Sequence, residues 1–185
     1  MAKRTTTTSP TRGNSSGKAK AKPKAQSAKT ETDENLVIKR VRLKCRTLKQ
    51  KEYLNLIKDK EITISCGPAG VGKSYVAIAV AIELLQDETN SFNKILIVKP
   101  AVESEENLGF LPGDLKEKMA PYLASSIDIV DKIIGKSARV FLENGEFLMA
   151  EPLGFIRGKT IDNSILIMEE AQNMSPSQMK TLLTR

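Results

Sequence analysis

The chain has 185 residues, 40% of them hydrophobic, and a formal net charge of +7 from 29 Lys+Arg against 22 Asp+Glu. It has no histidine and only two cysteines, Cys45 and Cys66, which suits neither a disulfide framework nor a transition-metal centre. It contains no run of about eighteen apolar residues and no apolar leader, so neither membrane spanning nor secretion is expected and the protein reads as cytoplasmic.

The charge is unevenly placed. Met1–Thr30 consists largely of Thr, Ser, Ala, Pro and Lys, with eight basic residues and no acidic one, which leaves 21 basic against 22 acidic residues in the remainder. Residues 1–34 are therefore expected to be a disordered basic tail, and 35–185 the folded domain. A cationic arm of this kind suits salt-dependent contact with RNA or DNA, although it lacks the aromatic residues that stack on bases, and a solvated leader is an equal reading. Within Asn35–Arg46, Val41, Leu43 and Cys45 alternate with Arg40, Arg42, Lys44 and Arg46, the pattern of an edge strand or ribbon whose basic face discourages aggregation. Thr47–Ile57 reads as an amphipathic helix with Leu54 and Ile57 inward.

Glu61–Cys66 is a short β-prone run, with Cys66 expected as a small packing residue. It leads into Gly67-Pro68-Ala69-Gly70-Val71-Gly72-Lys73-Ser74, which fits the phosphate-cradling pattern G-x-x-x-x-G-K-[ST]. Glycines there free the backbone N–H groups to point at phosphate oxygens. Lys73 has the charge for the β- and γ-phosphates, and Ser74 the hard hydroxyl oxygen for Mg²⁺. Tyr75–Leu85 is apolar all round, as in a helix buried beneath a sheet. The chain is thus expected to bind a nucleoside triphosphate.

Lys94–Val98 is a second buried strand, so strand, helix and strand repeat in the manner of a parallel α/β sheet. Gly109–Asp114 is a turn-rich loop, followed by a helix near Leu115–Met119 that is expected to stop at Pro121. A further helix is expected over Tyr122–Ile134, ending at Gly135. Phe141–Glu151 resembles a short strand or hairpin around Asn144-Gly145, and Pro152–Thr160 a loop in which Arg157 is a packing residue. Ser164–Met168 is a third strand, running into Glu169 and Glu170 at the end where open α/β sheets bind ligands. Glu169 is placed as the Mg²⁺-side acid, acting through coordinated water, and Glu170 as the base that polarises the attacking water. Ser175-Pro176-Ser177-Gln178 starts a last helix with a capping box. A doubly wound sheet normally continues beyond the strand bearing paired acids, so the domain reads as incomplete at its C-terminal side.

The loop at 67–74, together with KPAVESEENLGFLPGDLKEKMAPYL at 99–123 and EPLGFIRGKTIDNSILIMEEAQN at 151–173, resembles the PhoH family, ATP-binding proteins similar to the motor core of superfamily-one helicases. The resemblance covers about residues 47–185. It implies a P-loop NTPase fold that holds ATP and Mg²⁺, hydrolyses ATP, is coupled to RNA and assembles as a homo-oligomer. It places an adenine-reading glutamine at Gln50, and makes Gln172 and Asn173 candidates for sensing the γ-phosphate. The family usually has Asp-Glu where this chain has Glu169-Glu170. Two other classes fit the loop: an ATP-loaded binding module with little turnover, and a P-loop kinase of a small molecule or nucleotide.

Overall fold

A computed structural model describes residues 39–100, 115–156, 158–159 and 161–184, the side chains of 115–119 excepted; all lie in one unit, Asn35–Arg185. The expected basic tail, the loop at 109–114 and Arg157 fall outside the described residues. Three strands form a parallel sheet: β1 (Lys94–Lys99) at the centre, β2 (Leu148–Pro152) on one side and β3 (Ser164–Met168) on the other. The register pairs Ile95 with Leu148 and Ile165, and Val98 with Glu151 and Met168. Pro152, which lacks an N–H, is tolerated because it ends an outer strand.

The continuous apolar run of β1 is explained by its two covered faces. Ile95 and Ile97 join Ile78, Ala81 and Ile82 of the helix α2 (Lys73–Leu85), together with Val130, Leu142 and Leu148. Leu96 and Val98 point the other way, to Leu153, Ile156 and Leu182. The first of these faces is sealed by α3 (Leu115–Ile134) and α4 (Lys136–Asn144); the second by a short 3₁₀ turn (Leu153–Ile156) and α5 (Pro176–Leu183). Ahead of them α1 (Leu48–Asp59) is capped by Thr47, whose hydroxyl accepts from the Gln50 N–H at 3.1 Å, and tied to α2 by Lys58–Glu83 at 2.8 Å. The capping box at Ser175 forms as expected, with reciprocal bonds of 3.2 and 2.8 Å to Gln178.

Five local expectations are corrected. Glu61–Cys66 joins no strand among the described residues. Thr63 instead donates to the Leu56 carbonyl at 3.2 Å and Ser65 lies beside Tyr53, so the polar residues face α1 while Ile62 and Ile64 are 64% and 84% exposed. Strand propensity yields a ladder only where a neighbour offers a free edge. For the same reason Cys66 is exposed instead of packed.

Pro121 stops nothing: α3 runs through it from Leu115 to Ile134. The lost hydrogen bond and ring clash are offset by the burial of Leu123, Val130 and the flanking Ile129 and Ile133. The segment after Phe141 is no hairpin, because α4 continues to Asn144 and turns at Gly145, so that β2 enters parallel to β1. Arg40–Arg46 alternates in exposure as expected but joins no ladder among the described residues. It is held by Gln86, whose amide accepts from the Val41 N–H at 2.7 Å and donates to the Lys39 carbonyl at 3.2 Å, standing in for a neighbouring strand.

Candidate nucleotide and metal site

The loop from Gly67 to Gly72 turns sharply into α2. Gly70 and Gly72 have φ of 79° and 90°, in the left-handed region that other residues enter at a cost. Gly72 also faces Gln50 closely: a Cβ there would lie 3.1 Å from its Nε2. The Gln50 amide accepts from the Arg46 N–H at 2.8 Å and donates to the Val71 carbonyl at 3.0 Å, so α1 braces the loop through this one side chain. Pro68, Ala69, Gly70 and Val71 are exposed. Lys73 folds back onto its own loop, its ammonium donating to the Gly67 and Pro68 carbonyls at 2.8 Å each. Helix α2 begins at Lys73, so its first N–H groups, without partners inside the helix, add a positive field at the loop.

β3 delivers the acids. The Glu169 N–H donates to the Val98 carbonyl at 2.9 Å, prolonging the β1–β3 ladder by one residue, and its side chain is buried. The carboxylate accepts from the Ser126 hydroxyl and pairs with Lys99 Nζ at 3.1 Å, and Ser74 at the start of α2 lies beside it. Burial raises the Glu169 pKa, but the hydrogen bonds from Ser126, Ser74 and Lys99, with the charge of Lys99, outweigh it and hold the group below the ordinary glutamate value. The structure thus brings together Ser74 and Glu169, residues 95 positions apart in the chain.

Glu170 stays outside that buried cluster. It is exposed, in a left-handed conformation (φ 54°), and accepts a hydrogen bond from the Gln172 amide. The Asn173 N–H donates to the Glu170 carbonyl at 2.9 Å, closing the 3₁₀ turn Ala171–Asn173. A non-glycine residue held in this region stores on the order of 1–2 kcal/mol of strain.

A Ser hydroxyl beside a carboxylate is a hard-oxygen donor set of the kind that Mg²⁺ takes. Among the described residues no group of three or more His, Cys, Asp or Glu converges, so these two donors would serve an ion that draws its remaining ligands from phosphate and water.

Lys99, Ser125 and Ser126 were not anticipated as site residues. The signal for Lys99 is the register: with Val98 beside Met168, a lysine ending β1 stands beside the acid that follows β3. Ser126 carries no comparable signal, since a serine on an amphipathic helix ordinarily faces water.

The PhoH-like protein family model matches residues 42–185. Similar proteins include a PhoH-like protein of Bacillus subtilis, 40% identical over 155 residues, covering 84% of this chain and 47% of that protein. A PhoH-like protein of Synechocystis is 37% identical over 144 residues, 77% of this chain and 43% of its own length. Protein PhoH of Escherichia coli is 36% identical over 138 residues, 74% and 38% respectively. The chain spans less than half the length of these relatives. A glycine loop opening a helix, an acid-bearing strand brought against it and a family match over most of the domain lead to one conclusion: the chain belongs to the PhoH family of P-loop nucleotide-binding proteins.

Proposed function

We propose that this domain binds ATP with Mg²⁺ and hydrolyses it, and that turnover is coupled to RNA. The observation that carries the reading is that the fold sets Ser74, at the start of α2, beside the buried Glu169 at the end of β3. Lys73 leaves the Gly67 and Pro68 carbonyls for the phosphate oxygens, which are stronger acceptors for an ammonium. Loop N–H groups and the α2 N-terminus receive the remaining phosphate charge. Mg²⁺, when bound, neutralises charge developing on the transferred phosphoryl group. Ser74 and Glu169 hold the metal side, Glu169 through water. Glu170 takes the proton of the attacking water, and Gln172 orients that carboxylate. Gln50 stands on the nucleotide side and exchanges its bonds to Arg46 and Val71 for the adenine edge. RNA contact by the basic arm and homo-oligomerisation belong to the same reading.

The test is paired. Lys73→Ala is expected to weaken ATP binding, read by fluorescent-nucleotide titration, by about a hundredfold. Glu170→Gln is expected to leave binding intact and to lower phosphate release by roughly 10²–10³, the scale of general-base catalysis. Wild-type turnover in either variant would remove the assignment. The ATP-loaded binding module is favoured by the engagement of Glu170 with Gln172, and a wild-type chain that binds ATP without releasing phosphate would establish it. Transfer of the γ-phosphate to an acceptor instead of water would point to the kinase.

A further inference from the structure

The Glu169 carboxylate is buried, and its positive partner is Lys99, whose side chain is only 12% exposed. An ammonium has three donors. Those of Lys99 meet the Tyr122 carbonyl at 3.1 Å, the Ser125 hydroxyl at 2.6 Å and Glu169 Oε2 at 3.1 Å. Two of the three acceptors belong to α3, so the ammonium keeps most of its coordination if the carboxylate turns away. The Ser126 hydroxyl donates to the same oxygen, Oε2, and anchors that end of the carboxylate independently of charge. A cation that touches the metal-side acid must also oppose a second, divalent cation arriving there, since like charges a few ångströms apart repel strongly at low dielectric.

We propose that Lys99 is the resident counter-cation of the metal side: a positioning residue that holds Glu169 while no divalent ion is present and yields the carboxylate when the ion binds. This rests on the assignment of Ser74 and Glu169 to Mg²⁺. Loading the site then exchanges one cation for another at the same acid. The buried carboxylate is compensated throughout, and divalent ions bind weakly until phosphate oxygens add their charge.

The experiment uses the full 185-residue chain with Mn²⁺ as probe, alone and with ADP. Lys99→Met keeps the length of the stem and removes its charge. It is expected to bind Mn²⁺ alone about tenfold more tightly than wild type, and to gain more in thermal midpoint from the added ion. Lys99→Arg keeps the charge and is expected to match wild type. Unchanged or weaker Mn²⁺ binding in Lys99→Met overturns the proposal and leaves Lys99 a structural tie. A second arm needs no metal. The double variant Lys99→Met/Glu169→Gln, in which no buried charge calls for compensation, is expected to have a higher thermal midpoint than Lys99→Met, or to fold where the single variant does not. A double variant no better than the single one also overturns the proposal. Because this arm is independent of nucleotide, a wild-type chain that binds no ATP would defeat the proposed function without deciding the role of Lys99 as partner of Glu169.

Discussion

Glu169 shows how one side chain carries several levels of the problem. Taking a carboxylate out of water costs several kcal/mol unless charge and hydrogen bonds compensate it, and here Ser126, Ser74 and Lys99 do so. The compensation exceeds the desolvation, so the native pKa is depressed. A group with a depressed native pKa stabilises the fold above its unfolded value, and that contribution disappears as pH falls through the native value. Stability measured by urea unfolding is therefore expected to decline as pH drops below about 4.3, the ordinary glutamate value. Glu169→Gln is expected to flatten that part of the profile. A variant profile parallel to wild type would mean that Glu169 contributes no such linkage. Arg139, set between Glu143 and Asp131, offers a contrast: it joins α3 to α4, and its pKa is raised by the same two partners.

Helices and strands here begin and end for reasons of different strength. Helix α2 starts at a glycine whose φ of 90° disfavours any side chain and whose Cβ would press on the Gln50 amide, whereas α5 starts at a serine whose hydroxyl merely completes the first turn. Gly72→Ala is accordingly expected to destabilise by about 1–2 kcal/mol from the left-handed backbone alone. Ser175→Ala is expected to cost about 1 kcal/mol. Nucleotide titration distinguishes the two further, because only Gly72→Ala should also weaken ATP binding by disturbing the Gln50–Val71 brace. Pro121 illustrates the opposite balance. A residue that ordinarily breaks helices sits inside α3, because the apolar face downstream of it is buried against α2 and the sheet. Caps and glycine turns could be read from a few adjacent residues; the survival of α3 could not, because it depends on what α3 lies against.

At the level of the protein as a unit, the positive charge and the core belong to different stretches of chain. The eight basic residues of Met1–Thr30 supply the formal excess, while the remainder is close to neutral. If the arm is the RNA-binding element, deleting residues 1–34 is expected to lower affinity for single-stranded RNA. It should also flatten the dependence of log K on log salt, by about 0.7 for each phosphate the arm neutralises. ATP affinity is expected to be unaffected, since the loop and the acids belong to residues outside 1–34. Equal salt slopes with and without the arm would assign RNA contact to another surface. Among the described residues no helix is long and apolar enough to cross a membrane.

Read as a string, the chain already showed the glycine loop with Lys73 and Ser74, the β1 and β3 runs, the acids at the end of β3 and the capping box at Ser175. Each is written in residues close together, whose backbone and side-chain preferences act locally. Folding in three dimensions settled other matters: that β2 lies parallel to β1 in place of a hairpin, that Glu61–Cys66 turns its polar side chains to α1, and that Lys99 and Ser126 close on Glu169. Those outcomes depend on which distant surfaces meet. A lysine at a strand end or a serine on a helix has no fixed meaning until burial removes the water that would otherwise satisfy it.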